Sequence, residues 1–283
     1  MSATTRTVLI TGTSSGIGLA VAVAAARAGW RSIATLRDTT RADALREAAA
    51  EAGIELDIRA LDVTDETSVA AAVDGVIADH GRLDAVVNNA GAGHLGTLEN
   101  DSLADIRDVM EVNFFGVLSV SKAALPHLRT TGGRLITVTS VGGVVGQPFN
   151  EAYCAAKFAV EGYMESLAPV ARTQGVHVSV VEPGAVDSKF VSNIGIDLDA
   201  DVSVAADPYS DTLRHYINRT ADQFLDGSAQ TPAAAAEAVM EVLNADRPKF
   251  RVQTSDWART FVSTKLADLD GSAVHGVTDA WVG

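Results

Sequence analysis

The stretch RTVLITGTSSGIGLAVAVAAARAG, residues 6–29, decides the fold. Thr7 to Thr11 are all β-branched or aliphatic, which suits a buried pleated strand, and a strand is predicted over 6–11. Gly16 to Ala28 is alanine-rich and reads as a helix that stops at Gly29. Between the two lie Gly12, Gly16 and Gly18, in the spacing G-x-x-x-G-x-G. Glycines let the backbone turn tightly and approach a ligand closely, and a helix N-terminus offers free N–H groups and a positive dipole end. A first strand–turn–helix unit of this kind suits the pyrophosphate of a dinucleotide, with Gly12, Ser14, Ser15, Gly16, Ile17 and Gly18 as candidate contacts. The plain alternative is a tight turn with no ligand.

The same alternation continues along the chain. Strands are predicted over 31–36, 55–63, 82–91, 134–140 and 176–184, and helices over 40–52, 65–80, 151–174 and, as one long element that is straight, bent or broken, 102–129. The strands show little polar alternation, as expected where helices cover both faces of a parallel sheet. The expected fold is therefore α/β, a Rossmann-like doubly wound parallel sheet forming a single domain over residues 1–283. Its dinucleotide-binding core is expected over 6–184. From 185 to 283 the pattern changes to a polar substrate loop (185–207), capping helices over 209–225 and 231–244, a last strand over 249–254, and a tail. Trp257, Phe261, Leu266, Leu269 and Trp281 are expected to dock that tail.

Composition narrows the function. The chain has 283 residues, 47% hydrophobic and 20% charged, with a net charge of −14. That balance speaks against nucleic acid and anionic membrane as partners. The single cysteine, Cys154, excludes an internal disulfide, and no metal site is expected. The apolar run 19–29 falls short of the roughly 20 residues that a membrane span needs. A soluble cytoplasmic protein is expected.

The end of the second strand reads ATLRD, residues 34–38. An acidic residue there would favour NAD(H), whereas an arginine accommodates the 2′-phosphate of NADP(H). Leu36 occupies the strand end and Arg37 follows, so NADP(H) is expected and NAD(H) remains possible; an inward-pointing Asp38 would reverse the preference. Asp62, with Val63 after the third strand, is a candidate for the adenine, or for a helix cap.

A second stretch, SVGGVVGQPFNEAYCAAK (140–157), carries the chemistry. Tyr153 and Lys157 lie four apart on a predicted helix and so share a face. An ammonium beside a phenol lowers a pKa that starts near 10, making tyrosine a usable acid or base. Ser140 ends a strand, where its hydroxyl can hold a substrate oxygen.

Together, TGTSSGIG (11–18), NNAG (88–91), VN (112–113), Ser140, Y-x-x-x-K (153–157) and PG (183–184) resemble the short-chain dehydrogenase/reductase family in order and spacing. The resemblance implies a catalytic tetrad of Asn113, Ser140, Tyr153 and Lys157. Tyr153 would pass the proton, Lys157 would bind the nicotinamide ribose, Ser140 would polarise the carbonyl, and Asn113 would hold a relay water. It further implies that Asn89, Ala90 and Gly91 line the cofactor, that Pro183, Gly184, Val186 and Ser188 reach its nicotinamide end, and that the pro-S hydride moves. Residues 34–38, 140–162 and the KFRVQT tail look like the estradiol 17β-dehydrogenase (type 1) group and its retinol-dehydrogenase relatives. The expected reaction interconverts a secondary alcohol and a ketone on a hydrophobic substrate, with the estradiol/estrone pair as a candidate. The alternatives are reduction of a small or acyl-linked ketone, or dinucleotide sensing without turnover.

Gln147, Phe149, Asn150 and Phe190, with Ser140 and Tyr153, are the candidate substrate contacts; Phe149 and Phe190 could instead belong to the core. Two positions depart from the animal enzymes of that group: Gln147 replaces an apolar residue, and Arg219 falls near the histidine that holds the steroid's distal hydroxyl. His215 is a possible substitute for that histidine. Tyr209, His94 and Gly93 could line the pocket or belong to the scaffold, and Cys154 reads as packing. The family resemblance also implies a homodimer or homotetramer, joined through the helices over 102–129 and 151–174.

Overall fold

In the computed structural model, residues 5–188, 207–225, 229–267, 270, 273, 276, 277 and 279–281 are described. The strands are β1 (Thr7–Thr11), β2 (Arg31–Leu36), β3 (Asp57–Ala60), β4 (Ala85–Asn88), β5 (Arg134–Val138), β6 (His177–Glu182) and β7 (Arg251–Gln253). They form one sheet in the order β3-β2-β1-β4-β5-β6-β7, with every neighbouring pair parallel. The chain builds outward from β1 to β3, then crosses back and builds from β4 to β7. The reversal leaves a crevice at the carboxyl ends of β1 and β4, the place where doubly wound sheets bind ligands.

Successive strand residues point to opposite faces, so the sheet feeds two core layers. Val8 and Ile10 pack with Val21, Ala22 and Ala25 of α1 (Gly16–Arg27) and Ala236, Val239 and Leu243 of α8 (Pro232–Asn244). Leu9 points the other way, into a layer built with α3 (Glu66–His80), α5 (Gly116–Thr131) and α6 (Glu151–Arg172). This two-sided burial is why the strands read as continuous apolar runs. Four more helices complete the fold: α2 (Asp43–Ala52), α4 (Leu103–Met110), α7 (Ser210–Leu225) and α9 (Asp256–Leu266).

The long helix expected over 102–129, with a bend or break left open, is broken by a π-helical turn, Glu111–Phe115, between α4 and α5. The Asn113 side chain donates to the Val109 carbonyl four residues back (3.0 Å), competing for an acceptor of the regular helical ladder. The tail docks through Phe261 and Trp281 with Trp257, half-exposed, stacked on Phe261, but Leu266 is 67% exposed and does not anchor it. Leu269 and Phe190 lie outside the described residues. Among the described residues, no helix is long and apolar enough to cross a membrane.

The start of α1 is fitted against the neighbouring strand exit. A methyl group at Gly18 would collide with the Gly12 carbonyl oxygen and the Asn89 side-chain nitrogen. Gly18→Ala is expected to cost about 1–3 kcal/mol through overpacking and to lower Tm by several degrees in a thermal melt. Gly146→Ala, where nothing stands within 4 Å of the added carbon, is expected to stay within about 0.5 kcal/mol of the parent.

Candidate active site

The glycine turn is held from across the crevice. Thr11 Oγ1 accepts the backbone N–H groups of Asn89 and Ala90, both at 3.0 Å. In return, Asn89 Nδ2 donates to the carbonyls of Thr11 and Gly12 at 3.0 Å each. Gly12 (φ 68°) faces Ala90 so closely that a Cβ would stand 2.7 Å from the Ala90 Cα. Ser15 caps α1 without a side-chain bond, so its hydroxyl does not occupy the helix's first N–H groups. Gly12, Ser14, Ser15, Gly16, Ile17, Asn89, Ala90 and Gly91 all line a cavity of about 500 Å³. Gly18 does not: it sits beneath the turn and permits its packing.

Arg37 is exposed on the cavity rim at the end of β2. Asp38 is not among the lining residues. Its carboxylate caps the following 3-10 turn, accepting from Thr40 N (3.0 Å) and Thr40 Oγ1 (2.6 Å). Asp62 and Val63 line the cavity, and Asp62 Oδ1 accepts from Thr64 N (3.0 Å) and Thr64 Oγ1 (2.8 Å). The Thr64 backbone bond, helped by the Thr64 hydroxyl and the charge of Arg37, keeps the Asp62 carboxyl below its ordinary range.

Ser140 leaves β5 in extended conformation, and its Oγ accepts the Gly142 N–H at 2.9 Å. The Ser140 and Tyr153 hydroxyls are hydrogen-bonded to each other. One turn further along α6, Lys157 is 4% exposed. Its ammonium donates to the Val138 carbonyl at 3.3 Å and lies 5.7 Å from the centre of the Tyr153 ring. Burial pulls the Lys157 pKa down to about 8, against the opposing charge of Glu161. Burial also raises the Tyr153 pKa, and the Ser140 bond offsets this only in part. The expected lowering of the phenol by Lys157 is not seen: burial dominates, and only the Ser140 bond acts against it.

Asn113 is fully buried and does not line the cavity. Its amide braces the chain after β4, donating to the Ala92 carbonyl (2.8 Å) and accepting from the Ala92 N–H (3.3 Å). Behind Lys157, Glu161 accepts from Thr139 Oγ1 at 2.5 Å and from the Arg251 guanidinium at 3.0 Å. Arg251 also pairs with the fully buried Glu182 at 2.7 Å. Burial raises both carboxyls, Glu182 to about 7.

Pro183, Gly184, Val186 and Ser188 line the cavity, as do Gln147 and Asn150. Phe149 does not. At φ 58° it turns into an apolar cluster, its ring 5.7 Å from that of Tyr216, which corrects its expected place at the substrate. Tyr209 bonds Glu99 (2.8 Å), His94 pairs with Asp101 (2.9 Å), and His215 is exposed; none of them lines the cavity, nor does Gly93. Cys154 is buried and burial raises its thiol to about 11, which suits packing.

A further wall comes from the far end of the chain, where a capping helix over 209–225 was expected; Tyr216, Thr220 and the two tryptophans are the residues that sequence reasoning did not single out as lining it. Tyr216, Arg219, Thr220, Trp257 and Trp281 all face the cavity. Asn150 Nδ2 donates to the Tyr216 hydroxyl at 2.7 Å. Trp257, Phe261 and Trp281 stack with centroid separations of 5.1 and 5.4 Å. The i, i+3 spacing of Tyr216 and Arg219 was the available signal, but which face of α7 turns inward depends on its docking.

The residues at the other end fit a dinucleotide. The glycine cradle has no room for side chains at 12 or 18, the start of α1 opens on the cavity, and Arg37 stands at the rim. Lys157 is a buried ammonium with three N–H donors and one hydrogen-bond acceptor, Val138 O, among the described residues.

Comparison with known proteins agrees with this reading. The family model for short chain dehydrogenase matches residues 6–199. The chain is 38% identical over 286 residues to retinol dehydrogenase 8 of Homo sapiens, covering 96% of this chain and 88% of that protein. It is 37% identical over 272 residues to 17-beta-hydroxysteroid dehydrogenase type 1 of Homo sapiens, covering 94% and 82%. Among solved structures, an alcohol dehydrogenase from the archaeon Thermococcus sibiricus, complexed with 5-hydroxy-NADP, matches with a TM-score of 0.72 at 27% identity, over 88% of this chain and 95% of that one. The chain therefore belongs to the short-chain dehydrogenase family and is an oxidoreductase.

Proposed function

We propose that this enzyme interconverts a secondary alcohol and a ketone on a hydrophobic substrate, with NADP(H) as cofactor. The observation that carries the reading is a shared cavity: Ser140, Tyr153 and Lys157 open into the same space as Arg37 and the start of α1. Residues 6–184 would supply the dinucleotide core and the remainder the substrate end.

Arg37 would pair with the 2′-phosphate, the N–H groups at the start of α1 with the pyrophosphate, and Lys157 with the nicotinamide ribose. Asp62 and Val63 would flank the adenine, and Pro183 to Ser188 the nicotinamide. The bound cofactor supplies hydride in reduction and accepts it in oxidation. Ser140 accepts from Gly142 and shares a hydrogen bond with Tyr153, so it would hold the substrate oxygen by turning its proton from the phenol to that oxygen. In reduction Tyr153 gives its proton to that oxygen, and its raised pKa keeps the proton in place at neutral pH. In oxidation it takes the proton back. Asn113 would act on this centre through the backbone it braces at Ala92.

Leu95, Val141, Tyr216, Trp257 and Trp281 make the substrate end largely apolar and aromatic, which suits a flat polycyclic or long-chain compound. A 17β-hydroxysteroid pair and retinoid alcohols are the first candidates, given what the two human relatives are named for. Phe115, Tyr163 and Val170 are exposed on α6 and the turn leading into α5, and Phe114 meets Tyr163 edge-on. We place a homo-oligomer interface on this face.

Tyr153→Phe is expected to lower kcat by about 10²–10⁴ in a steady-state cofactor-oxidation assay, with cofactor binding retained; intact turnover would sink the assignment. Arg37→Ala is expected to raise KM for NADPH on the order of tenfold or more, the loss of a charged hydrogen-bonded pair, and to leave KM for NADH unchanged. An equal effect on both would refute the phosphate contact. For pH, the Lys157 ammonium is intact below about 8 and lost above it, so kcat/KM is expected to fall as pH rises through that value. Glu161 holds this pKa up, so Glu161→Gln should move the limb to lower pH. A limb that stays in place would show that another group is titrating.

A further inference from the structure

Three basic side chains line the cavity: Arg37, Lys157 and Arg219. The first two stand at the dinucleotide end, and each has a carboxylate acting on it or near it, Asp62 for Arg37 and Glu161 for Lys157. Arg219 differs. Among the described residues no carboxylate pairs with it; burial lowers its pKa and the only opposing influence is the Tyr216 phenol. Arg59, Arg82 and Arg251, also partly buried, have acids at contact: Asp57 (2.6 Å), Asp84 (2.5 Å) and Glu182 (2.7 Å). Arg134, whose pKa burial likewise lowers, has no acid at contact among the described residues and donates instead to the Ala245 carbonyl, away from the cavity. With 36 acidic against 22 basic side chains, carboxylates are plentiful. A guanidinium facing a ligand cavity, with no carboxylate at contact among the described residues, can turn its charge to a ligand.

The geometry supports that use. Arg219 lies over the Trp281 ring with its central carbon 4.1 Å from the centroid. A guanidinium engaged through its flat face keeps its N–H donors in its own plane, where they match the two oxygens of a carboxylate. Arg219 follows Tyr216 by three residues on α7, hence on the same face. Tyr216 in turn meets Asn150, three residues before Tyr153. Asn150 and Tyr216 thus join the segment that carries Tyr153 to the helix that carries Arg219. These four side chains and Ser140 line one cavity, to which Trp257 and Trp281 add aromatic surface.

We propose that the substrate is an amphipathic hydroxy or keto acid, with a carboxylate at the end away from the reacting carbon, and that Arg219 is the specificity-determining residue that pairs with it. This rests on the dehydrogenase reading above and narrows it from hydrophobic compounds in general to anionic ones.

The test uses the full-length protein and matched probes: a long-chain fatty acid bearing a secondary alcohol at its penultimate carbon, and the methyl ester of the same acid. The expected ratio of kcat/KM for acid over ester is at least about tenfold, arising in KM, and Arg219→Met brings it close to one. Methionine keeps an apolar stem beside Trp281, and a thermal melt checks that the variant is folded. A ratio near one in the parent, or an unchanged ratio in the variant, overturns the proposal. Tryptophan fluorescence titrated with dodecanoate, which has no alcohol to react, gives a second readout. Saturable binding is expected in the parent and is weakened at least tenfold in Arg219→Met; equal binding to both overturns the proposal. Discriminating binding with no turnover of any alcohol would uphold the anion subsite and sink the dehydrogenase reading, whereas turnover without discrimination would do the reverse.

Discussion

The exchange of hydrogen bonds between Thr11 and Asn89 is the contact on which the site depends. It joins the exits of β1 and β4, the two strands between which the chain reverses its build direction. Because the Asn89 amide takes the carbonyls of Thr11 and Gly12, the glycine turn is held against Ala90, and α1 begins facing the crevice. The residues that follow Asn89 are fixed in turn by Asn113, whose amide grips Ala92 on both its donor and its acceptor side. Asn113 can do so because it sits in the π-helical turn between α4 and α5. One run of polar contacts therefore links the dinucleotide cradle to a break in a helix one hundred residues away (roughly, in chain order).

That run explains what could be read from the chain and what could not. The strand–helix alternation was legible because burial on both faces leaves its mark on each strand separately. Tyr153 and Lys157 were legible because four residues on a helix is a local relation. The place of the break, Glu111–Phe115, was not: the helical pattern runs through it, and its cause is a side chain bonding back to Val109 and across to Ala92. Asp38 was ambiguous in the sequence because a carboxylate after a strand can face a ligand or cap the next turn; the two bonds from Thr40 decide for the cap.

The substrate end was the least legible part, for a related reason. Its walls come from α7, α9 and the extreme tail, brought to the 140–157 segment by long-range packing alone. Phe149 shows the difficulty at one residue. A non-glycine φ of 58° is not announced by its neighbours, and it turns the ring away from the cavity and into contact with Tyr216. The pKa of Tyr153 is another case: the proximity of a lysine suggests lowering, but the depth of the site decides the sign.

The buried group formed by Glu161, Arg251 and Glu182 bears on how this chemistry can be moved or copied. Lys157 and Arg251 carry two positive charges, and Glu161 and Glu182, when ionised, two negative ones, so the interior around the reacting hydroxyls is balanced as a set. The members come from α6, β6 and β7. Transplanting Ser140, Tyr153 and Lys157 alone would leave a desolvated lysine with no counter-charge. Adding Glu161 and Glu182 without β7 would leave two carboxylates facing each other with no guanidinium between them. The smallest portable unit of the proposed reaction centre is α6 with β5, β6 and β7, and its sequence signature covers only the part that faces the cavity.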